Sequence, residues 1–195
     1  MTCGWEDLSR LVQTCHRCSL HKSRTNVVFG EGDPHARIMF IGEGPGFDED
    51  QSGRPFVGRA GQLLTKMIQA MQLSREEVFI GNIVKCRPPG NRTPHEDEAE
   101  ACLPFLRRQI ELIQPDILVL LGATPLKYIL GKTGITRLHG TWHDVNGIAT
   151  IPTFHPSYLL RSPQRKRDVW EDLKKVMARI GKDPEETMRK VRRQD

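Results

Sequence analysis

The sequence predicts an α/β protein, an α/β/α sandwich on a parallel sheet, and three observations carry that reading. Short apolar runs of β type alternate with stretches of helical period, the pattern of repeated βαβ units. The 195 residues suit one compact domain with a sizeable core. A hydrophobic content of 37% with no long apolar run excludes a membrane-spanning helix, since the longest run, Ile117 to Leu121, is only strand-sized.

Taken in order, Arg37 to Gly42 reads as a strand entering the glycine-rich turn Gly42-Glu-Gly-Pro-Gly46. Between Gly61 and Gln72, apolar Leu63, Leu64, Met67, Ile68 and Met71 recur with a helical period. Val78 to Val84 is a second strand. Glu96 to Ile113 is a helix whose acidic first turn complements the helix dipole. Asp116 to Gly122 is a third strand, apolar enough to be buried on both faces. A helix starts at Thr124 and runs to Leu130; a fourth strand, Ile148 to Phe154, ends at His155-Pro156; a last helix covers about Arg167 to Ile180. No repeat, low-complexity segment or linker interrupts this order. One domain over residues 1–182 is expected, followed by a basic tail over 183–195.

Five cysteines and a formal net charge of +5 narrow the chemistry. Cys15 and Cys18 form a C-x2-C pair, while Cys86 and Cys102 lie far downstream as C-x15-C, too wide for a zinc-ribbon knuckle. Four thiolates suit zinc or an iron–sulfur cluster, and the spacing favours a cluster, [4Fe-4S]. The alternatives are four unrelated buried cysteines or two disulfides. Nothing resembling a secretory signal precedes them, so a cytoplasmic location is expected, where disulfides are disfavoured. Cys3 reads as a free thiol. The positive charge favours an anionic partner such as nucleic acid, with Arg161, Arg165, Lys166 and Arg167 clustered after a His-Pro-Ser loop.

Ligands of open parallel sheets bind beyond the carboxyl ends of the strands. Three such ends carry chemistry: Gly42 to Gly46, Asn82, and His155-Pro156-Ser157. The glycines permit close backbone approach, Asn82 offers a donor and an acceptor together, His155 can donate to a developing anion, and Phe56 can stack on a flat ring. Each has a plainer explanation as a tight turn, a turn residue, a satisfied core histidine or a core aromatic. The glycine turn matches neither the phosphate-loop nor the dinucleotide spacing. Their coincidence at consecutive strand ends is better explained by a pocket.

Four motifs, Gly42-Glu-Gly-Pro-Gly-x-x-Glu49, Gly53-Arg-Pro-Phe-Val-Gly58, Asn82-Ile-Val-Lys-Cys-Arg-Pro-Pro89 and His155-Pro-Ser-Tyr-Leu-Leu160, resemble the family 4 uracil-DNA glycosylases, the iron–sulfur branch of that superfamily. The resemblance runs from about Cys15 to near Ile180. It implies a four-stranded parallel sheet and a [4Fe-4S] cluster on Cys15, Cys18, Cys86 and Cys102 that acts structurally, pinning the N-terminal segment to the loop after the second strand. It further implies that Phe56 stacks on uracil and that the Asn82 amide pairs with its N3–H and O4. Backbone groups around Gly42, Glu43 and Gly44 would bind the O2 and O4 edges, with His155 donating to O2.

The wider superfamily places water with an aspartate where this chain has Gly44, so Glu43, Glu49 and Asn91 become the candidates, with Glu43 orienting loops. Gly46 stands where the superfamily has a thymine-excluding tyrosine, which leaves that task to Glu49 or a neighbour. The Leu159-Leu160-Arg161 segment is placed like a wedge entering the stack, with core packing its competing explanation; Leu160, Arg161 and Arg165 are the expected DNA contacts. The pocket motifs are read as presenting no lysine, so no strand nicking is expected. A covalent-capture variant would need a basic, histidine-bearing insertion, whereas Gly90 to Glu98 is acidic after His95. The competing class is a non-catalytic iron–sulfur module that binds DNA or senses redox state. A monomer acting on uracil in single- or double-stranded DNA, leaving an abasic site for base excision repair, is the expected function.

Overall fold

The computed structural model describes residues 2–186. Most of the basic tail expected at 183–195 lies outside the described residues.

The chain begins with helix α1 (Trp5–Gln13), followed by a single turn at Ser19–Lys22 and the short strand β1 (Glu31–Gly32). Strand β2 (Ile38–Gly42) leads through α2 (Phe47–Ser52) and α3 (Arg59–Ala70) to β3 (Phe79–Asn82). Helix α4 (Glu96–Ile113) connects to β4 (Ile117–Leu121), and α5 (Ala123–Leu130) and α6 (Ile135–Leu138) follow. Strands β5 (His143–Val145) and β6 (Ile148–Thr153) form a hairpin, after which α7 (Pro156–Arg161) and α8 (Lys166–Arg179) complete the domain.

The expected four-stranded parallel sheet needs correction. The sheet has six strands in the order β1-β3-β2-β4-β6-β5. The central β3-β2-β4-β6 run parallel, and β1 and β5 add antiparallel edges. These edges are two and three residues long. Such lengths carry no readable alternation, so only their partners define them.

Side-chain alternation along the strands builds two cores. From β2, Ile38 and Phe40 face the core shared with Leu64 and Ile68 of α3, Leu159 of α7, and Val169 and Leu173 of α8. Met39 and Ile41 face the other, with Leu8 and Val12 of α1 and Leu103 and Leu106 of α4. Helices therefore cover both faces, and the α/β/α layering follows. The α1 helix carries no motif, yet its buried Leu8 and Val12 at i, i+4 dock it on α4.

The chain leaves β2 toward β3 on one side and returns to β4 on the other. Neighbouring connections therefore diverge at the carboxyl end of β2, which opens a crevice there. Among the described residues, no helix is long and apolar enough to cross a membrane.

Candidate active site and cysteine cavity

A cavity of about 270 Å³ opens at that crevice. Its walls come from the β2 turn (Glu43, Gly44, Pro45, Gly46), from Glu49, Phe56 and Asn82, from Asn91 and Arg92, and from His155 and Ser157. The three strand ends and the separate Phe56 motif thus meet in one place. The volume lies near the lower end of small-molecule sites, roughly 300–1,000 Å³, which suits a single ring.

Asn82 closes β3 with 2% of its surface exposed, and among the described residues its Oδ1 is the one buried side-chain polar atom without a hydrogen-bond partner. An enclosed acceptor left unpaired costs about 1–3 kcal/mol, which a donor from a ligand would recover. Gly42 is what allows Asn82 and Phe56 to approach each other. A Cβ there would lie 2.5 Å from both Asn82 Oδ1 and Phe56 Cζ. Pairing continues past the strand ends, with Ile83 N–H donating to Gly42 O and Val84 N–H to Glu43 O. The turn and the Asn82 loop are thereby held as one wall.

Phe56 adopts φ 51°, a left-handed conformation that costs a non-glycine residue on the order of 1–3 kcal/mol. Arg75 holds it there, donating to Pro55 O at 2.7 Å and Phe56 O at 2.9 Å, and is itself paired with Glu31 of β1. The Phe56 ring lies 5.7 Å from the His155 ring, tilted by 34°.

His155 caps α7. Its Nδ1 accepts from Ser157 N–H at 3.1 Å and is 2.7 Å from Ser157 Oγ, so the ring proton belongs on Nε2. Burial, reinforced by the charge of Arg161 and opposed by Glu49, pushes its pKa down to about 4. The imidazole is therefore neutral at physiological pH and presents an N–H donor. Ser157, which fixes this tautomer, carried no separate signal in the sequence, although Pro156 at the first helical position marks the helix start.

The candidate water-placing residues differ in their freedom. Glu49 accepts from Val57 N–H at 2.8 Å, Gly58 N–H at 2.9 Å and Gly46 N–H at 3.1 Å. These bonds make it a clamp on two loops. Asn91 Oδ1 accepts from Arg87 Nε at 2.6 Å. Glu43 Oε2 accepts from the hydroxyl of Thr124, a residue of α5 that sequence reasoning missed. Gly44 has no room for a side chain without adjustment, since a Cβ would lie 2.7 Å from Val84 Cγ2.

One expectation needs revision. A lysine does lie within a pocket motif, Lys85, but it is fully buried and away from the cavity wall. Its Nζ donates to Gln109 Oε1 at 2.6 Å and Asn82 O at 3.0 Å, and burial lowers its pKa to about 8. Arg165 is engaged within the protein, paired with Asp168 at 2.8 Å and lying over the Phe154 ring. The wedge segment divides: Leu159 is core at 1% exposure, whereas Leu160 projects at 38% and Arg161 is exposed.

Cys15, Cys18, Cys86 and Cys102 line one further cavity, bounded by α1, α4 and the loop after β3. All five cysteines are free thiols. Polar donors face three of the four sulfurs: Arg24 Nη1 to Cys86 at 3.1 Å, Lys85 N–H to Cys102 at 3.3 Å and Arg17 N–H to Cys15 at 3.5 Å. Burial raises the Cys18, Cys86 and Cys102 pKa values, the last to about 12. Among the described residues, no three His, Cys, Asp or Glu side chains close on a single ion. Cys3 lies apart, its carbonyl accepting from Arg108.

Comparison with known proteins agrees with this geometry. A family model for the uracil DNA glycosylase superfamily matches residues 29–174. The chain is 51% identical over 183 residues to a type-4 uracil-DNA glycosylase of Thermotoga maritima, covering 91% of this chain and 95% of that protein. It is 48% identical to the type-4 enzyme of Sulfurisphaera tokodaii, over 88% of this chain and 82% of the other. With the type-4 enzyme of Archaeoglobus fulgidus it shares 41% identity, over 91% and 94% respectively. The chain belongs to the uracil DNA glycosylase superfamily, among its type-4 members.

Proposed function

We propose that the protein is a monofunctional uracil-DNA glycosylase that excises uracil from DNA as the first step of base excision repair. One observation carries the reading: the buried, unpartnered Asn82 Oδ1 beside a cavity sized for one ring. An acceptor next to an amide donor complements N3–H and O4 of uracil, and cytosine, which has no N3–H and carries an amino group at position 4, offends both. Phe56 supplies the stacking face.

The reaction breaks the C1′–N1 bond, and the electron pair leaves with uracil as an anion. Water adds to the positive C1′, and its surplus proton passes to the departing base or to solvent. The developing charge on O2 is met by the Nε2–H of neutral His155, fixed in direction by Ser157. Glu43 is the best-supported water-placing residue, since its known hydrogen bond uses one carboxylate oxygen and leaves the other. Glu49 and the Gly46 position shape the wall near C5 by holding the turn. Leu160 and Arg161 face the DNA, the former filling the space left by the extruded base.

The donor set around the cysteine cavity suits a [4Fe-4S] cluster. Four thiols line it and N–H donors point at three sulfurs, the usual support for sulfur ligands. Cys15, Cys18, Cys86 and Cys102 would hold the group. When bound it supplies a structural cross-link between the segment after α1, the loop after β3 and α4.

The decisive experiment is a single-turnover assay on a labelled oligonucleotide with one deoxyuridine, with and without alkali. Strand breaks only after alkali, slowed at least about 100-fold by His155→Ala, are expected. No product from folded protein would overturn the catalytic reading in favour of a DNA-binding or redox-sensing module.

A further inference from the structure

Three large apolar side chains stand exposed among the described residues: Leu11, Phe47 and Leu160. Two adjoin the uracil cavity. Leu160 lies one turn beyond Ser157, and Phe47 directly follows Gly46, both cavity-lining residues. Phe47 is the most exposed of the three, at 55%. It opens α2, whose next three residues are Asp48, Glu49 and Asp50, so it is a lone aromatic in an otherwise acidic turn.

Its surroundings are ordered. The Arg87 guanidinium lies 5.1 Å from the ring centroid, covering one side. Arg87 is itself fixed by donating from Nε to Asn91 Oδ1 at 2.6 Å, and Asn91 belongs to the cavity wall. The ring is thus tied through Arg87 and Asn91 to the site and leaves much of its surface to solvent. Arg87 is anchored by an amide rather than a carboxylate, so its charge is kept for an anion nearby.

We propose that Phe47 and Arg87 form a stacking subsite for the nucleobase adjacent to the extruded uracil on the same strand, an inference that rests on the glycosylase reading above. The cavity admits one ring, so the neighbouring base must find its place outside it. An exposed aromatic at the mouth offers that base a π-face whatever its identity, and Arg87 neutralises the phosphate between the two nucleotides. The subsite therefore favours single-stranded or locally opened DNA, where the neighbouring base is free to leave its own stack.

The test uses the full-length protein and a single-stranded oligonucleotide carrying a non-cleavable 2′-fluoro-deoxyuridine, with 2-aminopurine placed 5′ or 3′ to it. With wild-type protein, 2-aminopurine fluorescence is quenched on binding at one of the two positions. Phe47→Ala restores that fluorescence and weakens binding about tenfold, the scale of one base–aromatic stack, while Phe47→Trp preserves both. Inhibition by free uracil stays unchanged in Phe47→Ala, because the ring lies outside the cavity. If wild type cleaves ordinary deoxyuridine DNA but Phe47→Ala leaves fluorescence and affinity as in wild type, the subsite alone is overturned. If wild type neither cleaves nor binds, the glycosylase reading fails and the subsite falls with it.

Discussion

At the scale of single residues, the site depends on a missing side chain as much as on those present. Gly42 lets Asn82 and Phe56 converge, and a methyl group there would sit 2.5 Å from both. Backbone pairing with the Asn82 loop prevents the turn from moving away. Gly42→Ala is therefore expected to lower kcat/KM on deoxyuridine DNA by 100-fold or more while the thermal midpoint moves by only a few degrees. Equal loss of folding and activity would show that the glycine serves the turn rather than the pocket. His155 gives a second test. Its neutral form persists down to about pH 4, so the single-turnover rate should stay level from pH 8 to about 5 and fall below that. The same depression means that the unfolded chain binds the proton first, near pH 6.5. Stability contributed by this group is thus present above 6.5 and declines as pH falls toward 4. An apparent pKa of about 6.5 in the rate profile, with the fold intact by circular dichroism, would remove burial as the source of the neutral imidazole.

At the scale of elements, Phe56 is held by contacts from outside its own loop. Glu31 of the two-residue strand β1 pairs with Arg75 and with Arg54, and Arg75 grips the carbonyls of Pro55 and Phe56. The Arg54 guanidinium, with help from Arg75, keeps the Glu31 carboxyl below the usual carboxylate range. Arg75→Ala should release the left-handed Phe56, raising KM several-fold with a smaller change in kcat and costing about 1.5–3 kcal/mol of stability. An unchanged KM in urea-resistant protein would contradict this chain of support. The same contacts explain what the sequence could and could not disclose. The four central strands and α3, α4 and α8 were readable because each repeats an apolar pattern over enough residues to bury a face. The residues at their ends, Gly42, Asn82 and His155, were readable because strand ends host ligands in such sheets. The roles of Thr124, Ser157 and Arg75 were not, since each acts through a partner distant in space or through a tautomer, and β1 matters only through Glu31. Lys85 shows the converse hazard: it stands in a pocket motif, yet its ammonium is directed toward Gln109, behind Asn82.

At the scale of the molecule, the two cavities lie apart but share the loop after β3. Asn82 begins that loop and Cys86 follows four positions later, while Lys85 bonds Asn82 O through its side chain and Cys102 Sγ through its backbone N–H. The cysteine cavity sits on the α1–α4 face of the sheet, whereas the cavity lined by Asn82 and His155 opens at the strand ends. Glu98 strengthens the first from α4: it accepts from Arg92, from His95 N–H and from Ser19 beside Cys18. The proposed cluster would join Cys18 to Cys86 and close a long loop, and cross-links of that length contribute on the order of 4 kcal/mol, or about 10 °C in a domain of this size. Removing the cluster by oxidation should therefore lower Tm by about that amount and open the α1 segment to proteases. Lys85→Met should spare the visible absorbance of the proposed cluster but reduce affinity for free uracil, because the side-chain bonds to Asn82 O and Gln109 are cut while the backbone N–H on Cys102 Sγ is kept. Loss of the absorbance together with uracil affinity would instead make the two cavities a single cooperative unit.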